Sequence, residues 1–167
     1  MSEAIRVTPL QASPPAFRSG RDELDDWLTK HGLAATQAGS ARVYLAHDGG
    51  ALVGYFGLAA GAVDPAHAGT RTRRGVPRHQ VPVVLLARLA VSRHARGQGI
   101  GREMVWHAAA LTLRVSRLVA VRALVVDALD EIAAGFYAHL GLTPNEANPL
   151  RLEILVKDLE NLAGHQG

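Results

Sequence analysis

The chain has 167 residues, 48% of them hydrophobic and 20% charged, with a formal net charge of +3, enough for one domain with a buried core. It has no cysteine, which excludes disulfides, thiolate nucleophiles and cysteine-type zinc sites together. No apolar run approaches the roughly 18 residues of a membrane span, and Met1-Ser2-Glu3-Ala4-Ile5-Arg6 lacks a signal pattern, so one cytoplasmic domain over residues 1–167 is expected.

Ile5 to Leu10 reads as a first strand, ended by Ser13-Pro14-Pro15. Gly20 to Lys30 reads as a helix. Its Leu24, Trp27 and Leu28 share a face, and its acids fall in the first turn, where the helix dipole favours them. His31 to Gln37 is expected to continue as a second helix that stops at Gly39-Ser40. Arg42 to His47 and Leu52 to Val63 are strands, and Asp48-Gly49-Gly50 joins them as a hairpin turn. Asp64 to Gln80 is a long polar loop rich in Pro, Gly and Arg, of the kind that is often functional.

Val81 to Val91 is nearly continuous in apolar residues, as in a strand buried on both faces. Gly99 to Val115 has helical spacing, with Met104, Val105, Ala108, Leu111 and Val115 on one face. Val121 to Val126 is another buried strand. Asp130 to Leu140 is a helix, capped by Asp130 and ended by Gly141. Leu150 to Val156 closes the chain as a strand. The order β-α-α-β-β-β-α-β-α-β implies the α/β (α+β) class, a mixed sheet with helices packed on it.

Charge is unevenly placed. Between Pro65 and Arg102 there is no Asp or Glu, yet Arg71, Arg73, Arg74, Arg78, Arg88, Arg93, Arg96 and Arg102 all fall there. Such a stretch can focus a positive potential and attract a polyanion, or be a solvated surface.

The chemistry lies at Leu89-Ala90-Val91, Ser92 to Ala95, and Arg96-Gly97-Gln98-Gly99-Ile100-Gly101-Arg102. A strand runs into a glycine-rich loop that opens a helix. Glycines admit an anion close to backbone N–H groups, and the helix N-terminus adds positive charge, so a phosphate or pyrophosphate is the expected ligand. Arg96 and Arg102 can add charge-assisted bonds. A P-loop would need Lys-Ser or Lys-Thr after the second glycine, and the spacing of Gly97, Gly99 and Gly101 does not fit a dinucleotide fingerprint.

Arg96-x-x-Gly99-x-Gly101 instead resembles the Q/R-x-x-G-x-G/A pattern of the GNAT acetyltransferases, and Ala133-Ala134-Gly135-Phe136-Tyr137-x-x-x-Gly141-Leu142 resembles that superfamily's later helix. The resemblance implies the GNAT fold, a mixed and mostly antiparallel sheet flanked by helices, with acetyl-CoA as co-substrate and no metal. It implies that Leu89, Ala90 and Val91 pair with the pantetheine amides, that residues Arg96 to Arg102 hold the pyrophosphate, and that Phe136 helps to line the cofactor site. Tyr137 is the implied catalytic acid, since a thiol of pKa about 8.5 leaves poorly as a bare anion. The plain alternative is a core aromatic beside a buried Phe136. Asp127 is a candidate base, or a residue that caps or positions the next turn. The histidines, among them His79, His94, His107 and His139, show no ligand spacing.

A narrower resemblance covers residues 17–159. Phe17-Arg18-Ser19-Gly20-x-x-x-Leu24-x-x-Trp27-Leu28, Val53-Gly54-Tyr55-Phe56 and Pro144-Asn145-x-x-Asn148-Pro149-Leu150 are similar to segments of the GNAT toxins of toxin–antitoxin pairs. Such toxins acetylate the α-amine of aminoacyl-tRNA and are usually neutralised by a ribbon-helix-helix antitoxin; they are often homodimers. On that resemblance Arg71, Arg73, Arg74 and Arg78, with Arg42 and Lys30, are the tRNA-binding candidates, through phosphate contacts that give affinity but little sequence choice. These toxins often carry several lysines in the first helical region, where this chain offers Lys30, His31 and Arg42. Two rival readings stay open: acetylation of a small-molecule or protein amine, and a non-catalytic acetyl-CoA-binding module.

Overall fold

Turn chemistry and alternation set the first half of the fold. Strands β2 (Arg42–Asp48) and β3 (Ala51–Val63) form the expected hairpin, because Gly49 and Gly50 both take positive φ, 56° and 91°. Strand β1 (Arg6–Pro9) adds antiparallel to β2. Strand β4 (Val81–Val91) runs parallel to β5 (Ala123–Asp127), which pairs antiparallel with β7 (Arg151–Leu155). The two-residue strand β6 (Thr143–Pro144) lies on the outer edge of β7. The seven strands form one mixed, mostly antiparallel sheet in the order β1-β2-β3-β4-β5-β7-β6. The computed structural model describes residues 4–76 and 80–163; Arg78 and His79 fall outside them.

The first helical region is one run rather than two helices. α1 (Asp22–Trp27) passes through a π turn (Leu28–Gly32) into α2 (Leu33–Ala38), with Leu28, Gly32 and Leu33 all in right-handed helical dihedrals. Gly32 is buried, and a Cβ there would come within 3.2 Å of Leu28 Cδ1, so this glycine supplies packing room and not a stop. Gly39 ends the run at φ 74°, as expected.

The loop over residues 64–80 is more structured than its composition suggests. Asp64 accepts a bond from Ala66 N at 2.9 Å and starts a 3-10 turn at Pro65–His67, and α3 (Thr70–Arg73) follows. On α4 (Ile100–Ser116) the buried stripe is Met104, Val105, Ala108, Ala109 and Thr112. Val115, expected on that face, is exposed instead: the stripe has drifted round the helix by its last turn. α5 (Glu131–His139) is capped as expected, the Asp130 carboxylate accepting from Ala133 N at 2.8 Å, and Gly141 follows at φ 113°. β7 does not close the chain. α6 (Val156–Ala163) follows it and buries Leu159 and Leu162.

The residues gather into two compact units, one up to Ala59 with Ala87–His107, the other Ala60–Leu86 with residues from Ala108 onward. The first has a core of Leu10, Phe17, Leu24, Leu28, Val43 and Tyr55, and the Tyr55 hydroxyl donates to Leu24 O at 2.6 Å. The second has a core of Val63, Val81, Val83, Ala123, Val125 and Leu155.

A polar clamp inside the second unit holds the arginine-bearing loop. Buried Glu153 on β7 accepts from Gly69 N at 3.2 and 3.0 Å and from Asn145 Nδ2 at 3.0 Å, and Asn145 also donates to His67 O at 3.0 Å. Arg122 donates to Thr72 O at 3.0 Å, Arg71 O at 3.0 Å and Arg74 O at 3.1 Å, satisfying carbonyls at the end of α3. Glu153→Ala would strand the Gly69 and Asn145 donors. It is expected to lower unfolding stability in urea by about 2–3 kcal/mol; an unchanged midpoint would show that the clamp does not hold the loop.

Candidate cofactor and catalytic site

The glycine loop is braced before its helix begins. Ser92 N donates to Val53 O at 2.8 Å and Arg93 N to Arg18 O at 2.9 Å, fixing the exit of β4 against β3 and the segment before α1. After a 3-10 turn at Arg93–Ala95, Gly97 and Gly99 take φ of 75° and 79°, which side chains rarely adopt. Gly99 O then accepts from Glu103 N at 3.1 Å as α4 starts at Ile100. The N-terminus of a 17-residue helix therefore opens at this loop, with its partial positive charge.

The two arginines of the motif do different things. Arg102 stays at the loop. Its guanidinium lies over the Trp106 ring at 5.2 Å, with Nη2 3.2 Å from where a Gly99 Cβ would stand. Arg96 donates to Ser19 O. Ser19 is in turn held by Asp25, which accepts from Ser19 N at 3.0 Å and from its Oγ at 2.6 Å. A Cβ on Gly20, at φ 98°, would run into the Arg96 guanidinium. Arg96 is thus an anchor for the loop, a role that the spacing of the motif does not reveal. Gln98 is exposed and Ile100 buried, while Gly101 lies within α4.

Leu89, Ala90 and Val91 end β4, with Ala90 buried and its neighbours half-buried. A Cβ at Gly54 would sit 2.8 Å from Ala90 O, so β3 approaches this strand end closely because residue 54 has no side chain.

Tyr137 lies on α5 in the second unit and is 6% exposed. Burial pushes its phenol well above the ordinary tyrosine range, so the hydroxyl keeps its proton at any physiological pH. The Phe136 ring meets it edge-on, with centroids 5.1 Å apart. Phe136 is half-buried and Tyr137 buried, as a core aromatic on this helix would also be.

Asp127, the candidate base, is committed elsewhere. It stands opposite Arg151 across β5 and β7, and the guanidinium binds it two-pronged, Nε to Oδ1 at 2.7 Å and Nη2 to Oδ2 at 2.9 Å. That bond holds the Arg151 pKa above its usual value. His107 is half-buried on α4, and burial lowers its pKa.

The basic residues are not equally available. Arg71 pairs with Asp158 at 3.1 Å, and Lys30 with Asp26 at 3.5 Å. Arg42, Arg73 and Arg74 are exposed.

Residues 7–142 match the model of the acetyltransferase (GNAT) family. The chain belongs to the GNAT acetyltransferase family. A tRNA-acetylating toxin of Mycobacterium tuberculosis is 38% identical to it over 149 residues, 89% of each chain. Its fold is similar to that of a tyrosine-to-phenylalanine mutant of KacT, with a TM-score of 0.87 and 25% identity over 96% of this chain and 99% of that one. It is also similar to AtaT complexed with acetyl-methionyl-tRNAfMet, with a TM-score of 0.85 and 28% identity over 95% of this chain and 98% of that one. An exposed carboxylate already neutralised by a half-buried arginine acts as a structural pair. Asp127→Asn is expected to keep most of the acetyl-transfer rate and to cost at most about 1 kcal/mol of stability; a fall of about two orders of magnitude in kcat would make Asp127 the base after all.

Proposed function

We propose that this GNAT chain acts as a single acetyltransferase domain that moves the acetyl group of acetyl-CoA to the α-amine of aminoacyl-tRNA in the cytoplasm, and so blocks translation as a toxin. The observation that carries this reading is the 38% identity, over 89% of both chains, to a protein named for tRNA acetylation. AtaT, similar along nearly its whole length, has been solved with acetyl-methionyl-tRNAfMet and, with AtaR, bound to AcCoA. AtaT is also known bound to the C-terminus of its antitoxin AtaR. We assign this chain an antitoxin of the ribbon-helix-helix kind as its protein partner.

The residues fit the co-substrate. Left-handed glycines at the mouth of a long helix, with the Arg102 guanidinium beside Gly99, suit a pyrophosphate. When bound, acetyl-CoA supplies an acetyl group activated as a thioester. Backbone groups of Leu89, Ala90 and Val91 pair with the pantetheine amides. Residues Arg96 to Arg102 form the pyrophosphate loop, with the Arg96 side chain as its brace, and Phe136 packs on the cofactor. Tyr137 gives its proton to the sulfur as the carbon–sulfur bond breaks. Burial keeps the phenol protonated, so a proton is present to donate. The acceptor α-amine, with a pKa of about 8 or lower, gives its proton to water.

Acetyl transfer from labelled acetyl-CoA to a pool of charged tRNA tests the reading, with uncharged tRNA and free amino acids as controls. Label confined to charged tRNA supports it; label only on free or protein amines overturns it. Tyr137→Phe is expected to bind acetyl-CoA normally in calorimetry and to lose about 100-fold or more in kcat. The sign of the pKa shift also fixes the pH profile. The rate climbs as the acceptor amine deprotonates near pH 8, and does not turn down near the ordinary phenol value of about 10. An unchanged rate in the variant would remove Tyr137 as the acid.

Arg73 and Arg74 are the loop arginines that we assign to tRNA phosphates. Replacing both with glutamine is expected to weaken tRNA binding and to reduce the slope of log K against log salt by about 2. An unchanged slope would make the loop a bystander.

A further inference from the structure

An open groove of about 460 Å³ in the first unit has no part in the chemistry above. Alanine methyls wall it, among them Ala34 and Ala38 of α2 and Ala87 of β4. Larger side chains at those positions would fill it. At one end Arg88 and Trp27 form a stack, the guanidinium 4.0 Å from the indole centroid. Trp27 in turn lies nearly parallel to Tyr55, at 8° and 6.3 Å between centroids. His31 adds an imidazole to the lining, and among the described residues no acid lines the groove. Arg88 pairs with no carboxylate among the described residues.

We propose that this groove receives the unpaired 3′-terminal nucleotides of the tRNA acceptor, with a base stacked against the Arg88–Trp27 pair; the proposal rests on the aminoacyl-tRNA reading above. Three features favour such an occupant. Guanidinium and aromatic planes are the usual platforms for splayed-out bases. The groove combines them with positive charge for the backbone and with apolar walls that admit a flat ring. Arg88 also directly precedes Leu89, Ala90 and Val91, the strand end assigned to the pantetheine. A nucleotide held at Arg88 therefore carries its aminoacyl ester toward the reacting end of the cofactor.

The test compares two uncharged RNA minihelices, one with a four-nucleotide ACCA 3′ overhang and one blunt, by fluorescence anisotropy. Wild-type protein is expected to bind the overhang form about tenfold more tightly. Arg88→Gln, and Ala38→Phe, which plugs the groove from an exposed helix position, should each remove most of that difference while leaving blunt-end binding alone. Circular dichroism confirms that both variants fold. An overhang that adds no affinity, or an increment that survives both variants, overturns the proposal. An intact increment combined with a changed sedimentation mass in Ala38→Phe also overturns it, and assigns the groove to a second copy of the chain. The same preparations assayed with charged tRNA separate the two claims. Absence of acetyl transfer beside a groove-dependent overhang effect would sink the proposed reaction and leave the groove assignment standing.

Discussion

The anion loop depends on one carboxylate. Asp25, in the first helical turn, holds Ser19 through both its backbone N–H and its hydroxyl, and the Ser19 carbonyl takes the Arg96 guanidinium. The glycines at positions 97 and 99 leave the loop conformationally free, so something outside it must fix its shape. The Asp25–Ser19–Arg96 relay does so, with the Arg93 N to Arg18 O bond beside it. Order imposed before binding is ordering entropy that the ligand need not supply. The Phe17-Arg18-Ser19-Gly20 segment is therefore part of the frame of the glycine loop, although some 75 residues of chain separate them. Gly20 is required because a side chain would occupy the space of the guanidinium.

What was legible in the sequence was local. The Asp48-Gly49-Gly50 turn, the Asp130 cap and the Gly39 and Gly141 stops each act within a few residues, and each is seen in the structure. The strand-to-helix setting of the glycine loop was legible for the same reason. The misreadings were tertiary. His31 to Gln37 was read as a second helix, but Gly32 is buried against Leu28 and Leu10, and one helical run passes through it as a π turn. The 64–80 segment looked like bare loop because its order comes from Glu153, Asn145 and Arg122, far off in the chain. α6 was missed because eight residues give too few turns to show a period beside a strand.

Charge was the least legible property. The acid-free stretch from residue 65 to 102 suggests a row of free cations. In the structure Arg71 is neutralised by Asp158, Arg96 braces a loop and Arg88 lies on an indole. The first helical region is acidic at Asp22, Glu23, Asp25 and Asp26, and Lys30 pairs with the last of these. A polyanion gains little from α1, and more from the exposed Arg73 and Arg74. The net charge of +3 therefore understates the local field at the loop and overstates it at the first helix.

The division of labour follows from two kinds of stabilisation. A pyrophosphate carries permanent charge and is best met by dipoles and cations that are already oriented, which the mouth of α4 and Arg102 provide. A departing thiolate acquires charge only during the reaction. A fixed cation in its place would bind the ground state of a neutral thioester no better, and would cost desolvation when buried. A buried neutral phenol avoids that cost and still holds a proton for the sulfur. Burial keeps the Tyr137 phenol protonated, and in the proposed reaction that is the proton offered to the sulfur.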